Sequence, residues 1–396
     1  MAYDKSPGYI DHLLILRGLS SIGVLFAHCL NQSSYSWGSY LSQAHNIVTP
    51  FDKFLVAIWP STGVNYVMFF FVHSGYLMGK VFFQKRYSTE TKDILRYYKS
   101  RFFRIAPLLY FNLLFVFGLT GSSGNPFHLF GDLFFLNNLT GRSINAVTWS
   151  LSYEMQYYLL APFIFVFFGN LSVKSFLKIF CVALALSSLA YFRDYFLLFT
   201  VFSFFYFFVI GFSINLLIRL FKVKKFKFSV PLSIFVGFIG GNVLYYYFYN
   251  NGHRYTAEIT LALFAAAAIY MLELPDKEDS NEAENITLRV LFLRFLTWTG
   301  IISYGIYMWH LPILLGQHRL IEKLMEHLYK INYIKYTWQK ILLYHSIQIP
   351  LVIILTYLIS YVTFMLIELR FRPNLYNFES SRILHNHGKF RKLFKR

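Results

Sequence analysis

The chain has 396 residues, 56% of them hydrophobic and only 14% charged, and 46 Phe with 31 Tyr raise the aromatic share to 21%. That balance excludes a soluble globular protein and points to a polytopic membrane protein whose surface meets lipid. The formal charge of +18 would suggest a nucleic-acid partner in a soluble chain. Here it must first be weighed against the tendency of Lys and Arg to collect on the cytoplasmic side of a membrane protein. The two cysteines, Cys29 and Cys181, both fall in apolar segments. They define neither a disulfide framework nor a metal site.

A polar lead over residues 1–12 precedes the first apolar stretch, LLILRGLSSIGVLFAHCL at 13–30. No small-residue cleavage signature follows it, so it reads as a retained helix rather than a signal peptide. Arg17 and His28 interrupt it. Eleven residues at about 100° each come to about 1,100°, roughly 20° beyond three full turns, so both side chains share one helix face. They are separated by roughly 16 Å of rise. An ionisable group inside a membrane segment is costly and usually faces the protein interior.

Further apolar runs lie near 62–83, 105–120, 149–169, 178–192, 196–218, 229–249, 256–273, 297–316 and 341–366. The expected architecture is therefore an all-α, polytopic transmembrane helical bundle of about ten helices. With the N-terminus inside, alternation places 28 of the 37 Lys and Arg residues on the cytoplasmic side and nine outside. This orientation puts both termini in the cytoplasm and explains the basic charge without nucleic acid. Residues 274–288 form an acidic cytoplasmic connection. Residues 1–372 make the membrane domain, and the basic tail 373–396 is expected to lie against anionic headgroups. No internal repeat argues for an inverted-repeat transporter.

Within these runs a few polar groups stand out. FFFVHSGYLMG carries His73, Ser74 and Gly75, where small residues allow close helix contact and a hydroxyl can line a ligand channel. KSRFFRIAPLLYF carries Arg101 and Arg104, three apart on one side of a helix and able to grip phosphate with two forks. TWSLSYEMQYYLLAPF brings Trp149 and, five residues on, Glu154. Glu154 and His28 are expected at comparable depth, as a base and its orienting partner. ISYGIYMWHLPI carries His310 as a site or kink residue, and Pro312, which is expected to bend its helix. Near the end Glu368 stands beside Arg370 and Arg372, where local ion pairing is expected.

Five of these motifs, in this order, resemble the acyltransferase 3 family of integral membrane acyltransferases. The arginine, ten residues and histidine of Arg17 to His28 match its first signature. FFFVHSGYL resembles its FFxxSGFL element, SRFFRIAP its basic third-helix start, WSLSYEMQYYLL its WSLSVEEQFYLL, and ISYGIYMWHLPI its SYxxYLxHxP segment. The likeness runs from residue 11 to about 372. His73 departs from it, standing where the family usually has an apolar residue, and Met155 replaces the second glutamate. The resemblance implies transfer of an acyl group, usually acetyl from cytosolic acetyl-CoA, to a hydroxyl of an extracytoplasmic glycan or lipid-linked saccharide at the inner membrane. In that reading His28 and Glu154 are catalytic. Arg17, Arg101, Arg104 and Ser74 hold the donor, Trp149 and His310 meet the acceptor, and no metal takes part. The rival class is a transporter or flippase whose polar residues line a pathway.

Overall fold

The computed structural model describes residues 11–31, 63–120, 126–141, 143–168, 172–191, 202–221, 230–273, 288–330 and 337–371. The acidic connection up to residue 287 and the basic tail lie outside these residues. The described chain is helical and contains no strand. Helix α1 is His12–Asn31, α2 Val64–Phe83, α3 Thr91–Thr120, α4 Pro126–Leu133 and α5 Asn137–Thr140. A 3-10 turn, Ala146–Thr148, leads into α6, Trp149–Phe168, followed by α7, Val173–Tyr191, and α8, Phe205–Phe221. Then come α9, Val230–Ile234, a π-helical segment, Phe235–Gly240, α10, Gly241–Asn250, and α11, Arg254–Glu273. The chain closes with α12, Leu288–Ile301, α13, Ser303–Lys330, α14, Thr337–Thr363, a second π-helical segment, Phe364–Glu368, and α15, Leu369–Phe371.

Among the described residues seven helices are long and apolar enough to cross a membrane, or eight if α12 and α13 count as one bent span. Each apolar run read from the sequence contains helix, so the chain is a polytopic membrane bundle. Large apolar side chains such as Leu114, Phe163, Phe167 and Leu358 are exposed on it. In water such a surface would drive aggregation; against acyl chains it is at no disadvantage.

Small residues set how closely the helices approach. A methyl placed on Gly75 of α2 would strike the Phe208 carbonyl of α8, and one on Gly211 of α8 would strike the Val72 carbonyl of α2. Gly18 of α1 and Gly300 of α12 repeat the reciprocal arrangement, against the backbone of Leu296 and Leu14. Without a hydrophobic drive between helices in lipid, such close backbone packing supplies much of the association. The close contact expected around Ser74 and Gly75 is thus made by Gly75.

Prolines do less bending here than the sequence suggests. Helix α13 continues through Pro312, and the sharp bend, 76° between α12 and α13, comes earlier, at Ile302. Proline has no N–H to give the carbonyl four residues back, so Pro312 frees the Met308 carbonyl. The Asn112 and Asn145 side-chain amides fill it, each at 3.1 Å. Pro162 likewise frees the Tyr158 carbonyl, which accepts the Tyr97 hydroxyl at 3.2 Å. The liberated carbonyls become anchors that tie neighbouring segments to α13 and α6.

Candidate functional site

Helix α1 carries Arg17 and His28 as expected, and Asp11 caps its start by accepting the N–H groups of Leu13 and Leu14 at 3.1 and 3.2 Å. At the far end His28 faces a cavity of about 70 Å³. Trp149, Tyr307, Val147, Gly63 and Leu311 share its lining. Gly63 has φ 67°, which glycine adopts without strain, and it turns the backbone into α2 close to His28. Tyr307 is held by donating to the Val147 carbonyl at 2.7 Å, and its oxygen lies 2.8 Å from Ser150 Oγ.

His28 Nδ1 lies 2.9 Å from His310 Nε2, and the two rings lie edge to edge with planes 25° apart and centroids 5.0 Å apart. The tautomers follow from the surrounding acceptors. His310 Nδ1 lies 3.2 Å from the Ile306 carbonyl, which can only accept, so this nitrogen carries the proton. In the neutral ring Nε2 of His310 is then an acceptor, and Nδ1–H of His28 donates to it. Nε2 of His28 is left with its lone pair. His28 was expected to meet Glu154; the structure pairs it with His310 instead. His310 is 1% exposed and does not line the cavity, so it backs His28 rather than meeting the space beside it.

Glu154 belongs to a second cluster, about five residues further along α6 than Trp149. Ser74 Oγ donates to Glu154 Oε1 at 2.7 Å, and the Tyr158 hydroxyl also donates to Oε1. Arg104 lies in the electrostatic field of Glu154, Glu368, Tyr158 and Tyr304. Glu368 is 3% exposed, in the second π-helical segment, and faces this cluster rather than standing at the surface with Arg370. Such one-turn π segments often re-aim side chains at functional sites. Ser74 therefore holds Glu154, and Arg104 is compensated by carboxylates.

Arg101 is different. It is 8% exposed, its Nη2 donates to Ser100 at 3.0 Å, and it stacks over the Tyr97 and Tyr158 rings at 5.7 and 5.9 Å. Its Nε has no hydrogen-bond partner. His73 lies in the electrostatic field of Arg17, Arg104 and Lys80, and Lys80 is clamped to both oxygens of Glu273 at 2.8 and 2.9 Å. Sequence reasoning missed Tyr307, Tyr304 and Tyr158. The three-residue spacing of Tyr304, Tyr307 and His310 is the signal that could have placed the first two beside His310.

The fold and these clusters define an integral membrane helical bundle with an ionisable interior and a histidine at a small cavity. The chain belongs to the acyltransferase 3 family, whose acyltransferase-domain model matches residues 9–367. It is an integral membrane acyltransferase. No curated protein and no solved structure matches it.

Proposed function

We propose that this acyltransferase moves an acyl group, acetyl in the first instance, from cytosolic acetyl-CoA to a hydroxyl of an extracytoplasmic glycan, such as O-antigen, capsule or another envelope polysaccharide, at the inner membrane. The observation that carries the reading is His28 in the cavity lining with Nδ1 at 2.9 Å from His310 Nε2, a pairing that makes Nε2 the basic nitrogen of the ring. A sugar hydroxyl ionises far above neutral pH, so its proton must be taken as it attacks. His28 Nε2 takes that proton while the hydroxyl oxygen bonds to the thioester carbonyl carbon. The carbon–sulfur bond then breaks, and the proton passes from His28 to the departing CoA sulfur, giving an ester and free CoA thiol. His310 Nε2 accepts from His28 Nδ1–H throughout and supports the imidazolium that forms.

The donor enters from the end of the bundle marked by Arg101, which holds a buried guanidinium with aromatic rather than carboxylate neighbours. Arg17 lies on the face of α1 that leads from there toward His28. Trp149 forms part of the acceptor's wall. The positive-inside distribution assigns this Arg101 end to the cytoplasm.

The test uses purified protein in liposomes with acetyl-labelled CoA and a saccharide acceptor. Label on the acceptor, lost in His28→Ala at normal protein level, is the expected result. Full transfer by His28→Ala, or solute movement without label transfer, overturns the reading.

A further inference from the structure

His73 is a buried histidine of a membrane-spanning helix that the acyl-transfer scheme leaves unused. It is 3% exposed, and its Nε2 is buried without a hydrogen-bond partner. Leaving a buried nitrogen of this kind unpaired is unfavourable, so it calls for a partner that arrives later. The surroundings say what that partner is. The charges acting on His73 are those of Arg17 of α1, Arg104 of α3 and, about two helix turns further along α2, Lys80, which is itself paired with Glu273. Its sequence neighbour Ser74 is turned to Glu154 and does not serve it. In the tautomer that protonates Nε2, this unpartnered N–H, in the field of those cations, fits an oxygen of an anion.

Depth agrees. His28 lies beside Gly63 at the start of α2. Ten residues along α2 and eleven back along α1 are both about 15–16 Å, which brings His73 and Arg17 to the same level. Phosphate held there leaves that distance for an extended, uncharged arm to reach the cavity.

We propose that His73 binds a phosphate oxygen of the acyl donor through Nε2–H, completing an anion site with Arg17 and Arg104. This assignment rests on the acyl-CoA reading and adds to it a residue that the family motif does not contain. Arg104 keeps Glu154 and Glu368 on its other side, so it contributes field, while His73 contributes the directed bond.

Equilibrium binding in phosphatidylcholine nanodiscs tests it, with coenzyme A and pantetheine as probes. Pantetheine has the same arm without phosphates. His73→Met and His73→Gln have nearly the same shape and differ in the N–H. Met should weaken coenzyme A binding by roughly 10-fold or more, leave pantetheine binding unchanged, and be rescued to within about 3-fold by Gln. Equal weakening of both probes, or none, overturns the proposal; His73→Leu replaces Met should that variant fail to assemble. The series is repeated with phosphatidylglycerol present, and with inorganic phosphate as competitor. A His73 dependence seen only with the anionic lipid, or only for inorganic phosphate, would assign the site to headgroups or free phosphate and overturn the donor assignment. Wild-type protein that binds coenzyme A with this dependence yet transfers no acyl group would sink the acyl-transfer reading alone. Active protein whose coenzyme A binding ignores His73 would sink this one alone.

Discussion

The two polar regions of the bundle solve the problem of burying ionisable groups in opposite ways. At the cavity, His28 and His310 can both be neutral, and a chain of hydrogen bonds from the Ile306 carbonyl outward leaves one basic lone pair over. Deeper in, Arg104 stands among Glu154, Glu368, Tyr158 and Tyr304, with Ser74 also bonded to Glu154. There the burden of burial is met by mutual compensation, which leaves little for chemistry. A reactive group is found where the surroundings supply orientation without charge.

The comparison breaks most visibly if His28 is removed. His28→Ala should lower acyl transfer by roughly 10²- to 10⁴-fold, the usual contribution of a positioned base, with an unchanged thermal midpoint. His310 sharpens the point. His310→Leu should cost kcat about 10- to 100-fold by freeing His28 to take the other tautomer, without changing the KM for acetyl-CoA. His310→Gln, whose carbonyl oxygen can accept from His28 Nδ1–H, should recover part of that loss. Equal activity in the two variants would remove the tautomer argument.

The opposite signature is expected from the charge cluster. Arg104→Met takes from Glu154 and Glu368 the cation whose field they share, and because Arg104 and Glu154 are only partly buried the loss should be about 1 kcal/mol. The loss should be read as a lowered thermal midpoint in detergent and reduced protein level, before any change in kcat of the protein that remains. An intact midpoint with a selective kcat loss would move Arg104 into the chemistry and erase the contrast between the regions.

The sequence could carry the helices because apolar runs and their interruptions are local. It could also put Arg17 and His28 on one face, since a single helix fixes that angle. It could not choose partners. His28 and His310 are 282 residues apart, and nothing in either segment says which helices will be neighbours. Glu154 looked like His28's partner because their depths are similar, but depth is one coordinate of three, and Ser74 and Tyr158 sit on the side that Glu154 faces. The break at Ile302 was hidden by Pro312, the stronger local signal. Asn112 and Asn145 occupy the carbonyl that this proline frees, and the helix continues through it.

A smaller effect separates the two arginines of α3. Arg101→Lys keeps the charge but replaces a planar fork with a point. It should raise the KM for acetyl-CoA roughly 5- to 10-fold, with orientation, kcat and thermal midpoint preserved. Arg104→Lys, made in parallel, should move the midpoint more than the KM. Identical behaviour of the pair would mean that carboxylate compensation does not distinguish them.

The smallest effect concerns the wall of the cavity. Asp132 of α4 is 1% exposed; Oδ1 accepts from Asn137 Nδ2 at 2.8 Å and Thr148 Oγ1 at 2.7 Å, and Oδ2 accepts the Ile144 N–H at 2.7 Å. These bonds pin the turn that delivers Val147 and Trp149 to the cavity beside His28. Burial pushes the Asp132 carboxyl above its ordinary value of 3.8, outweighing the hydrogen bonds that favour its charge. Between 3.8 and the raised value the folded protein therefore holds more protons than the unfolded chain, and stability falls as pH rises through that window. Above the window it levels off. Asp132→Asn cannot titrate and keeps one oxygen for Thr148, but it turns an amide toward the Ile144 N–H. Its thermal midpoint should lack the downward step that wild type shows on raising pH from 3.8, while transfer at neutral pH changes by less than about 3-fold. Parallel midpoint curves for the two proteins would show that Asp132 is not held above its ordinary range, and that the wall is pinned by an ion rather than by hydrogen bonds alone.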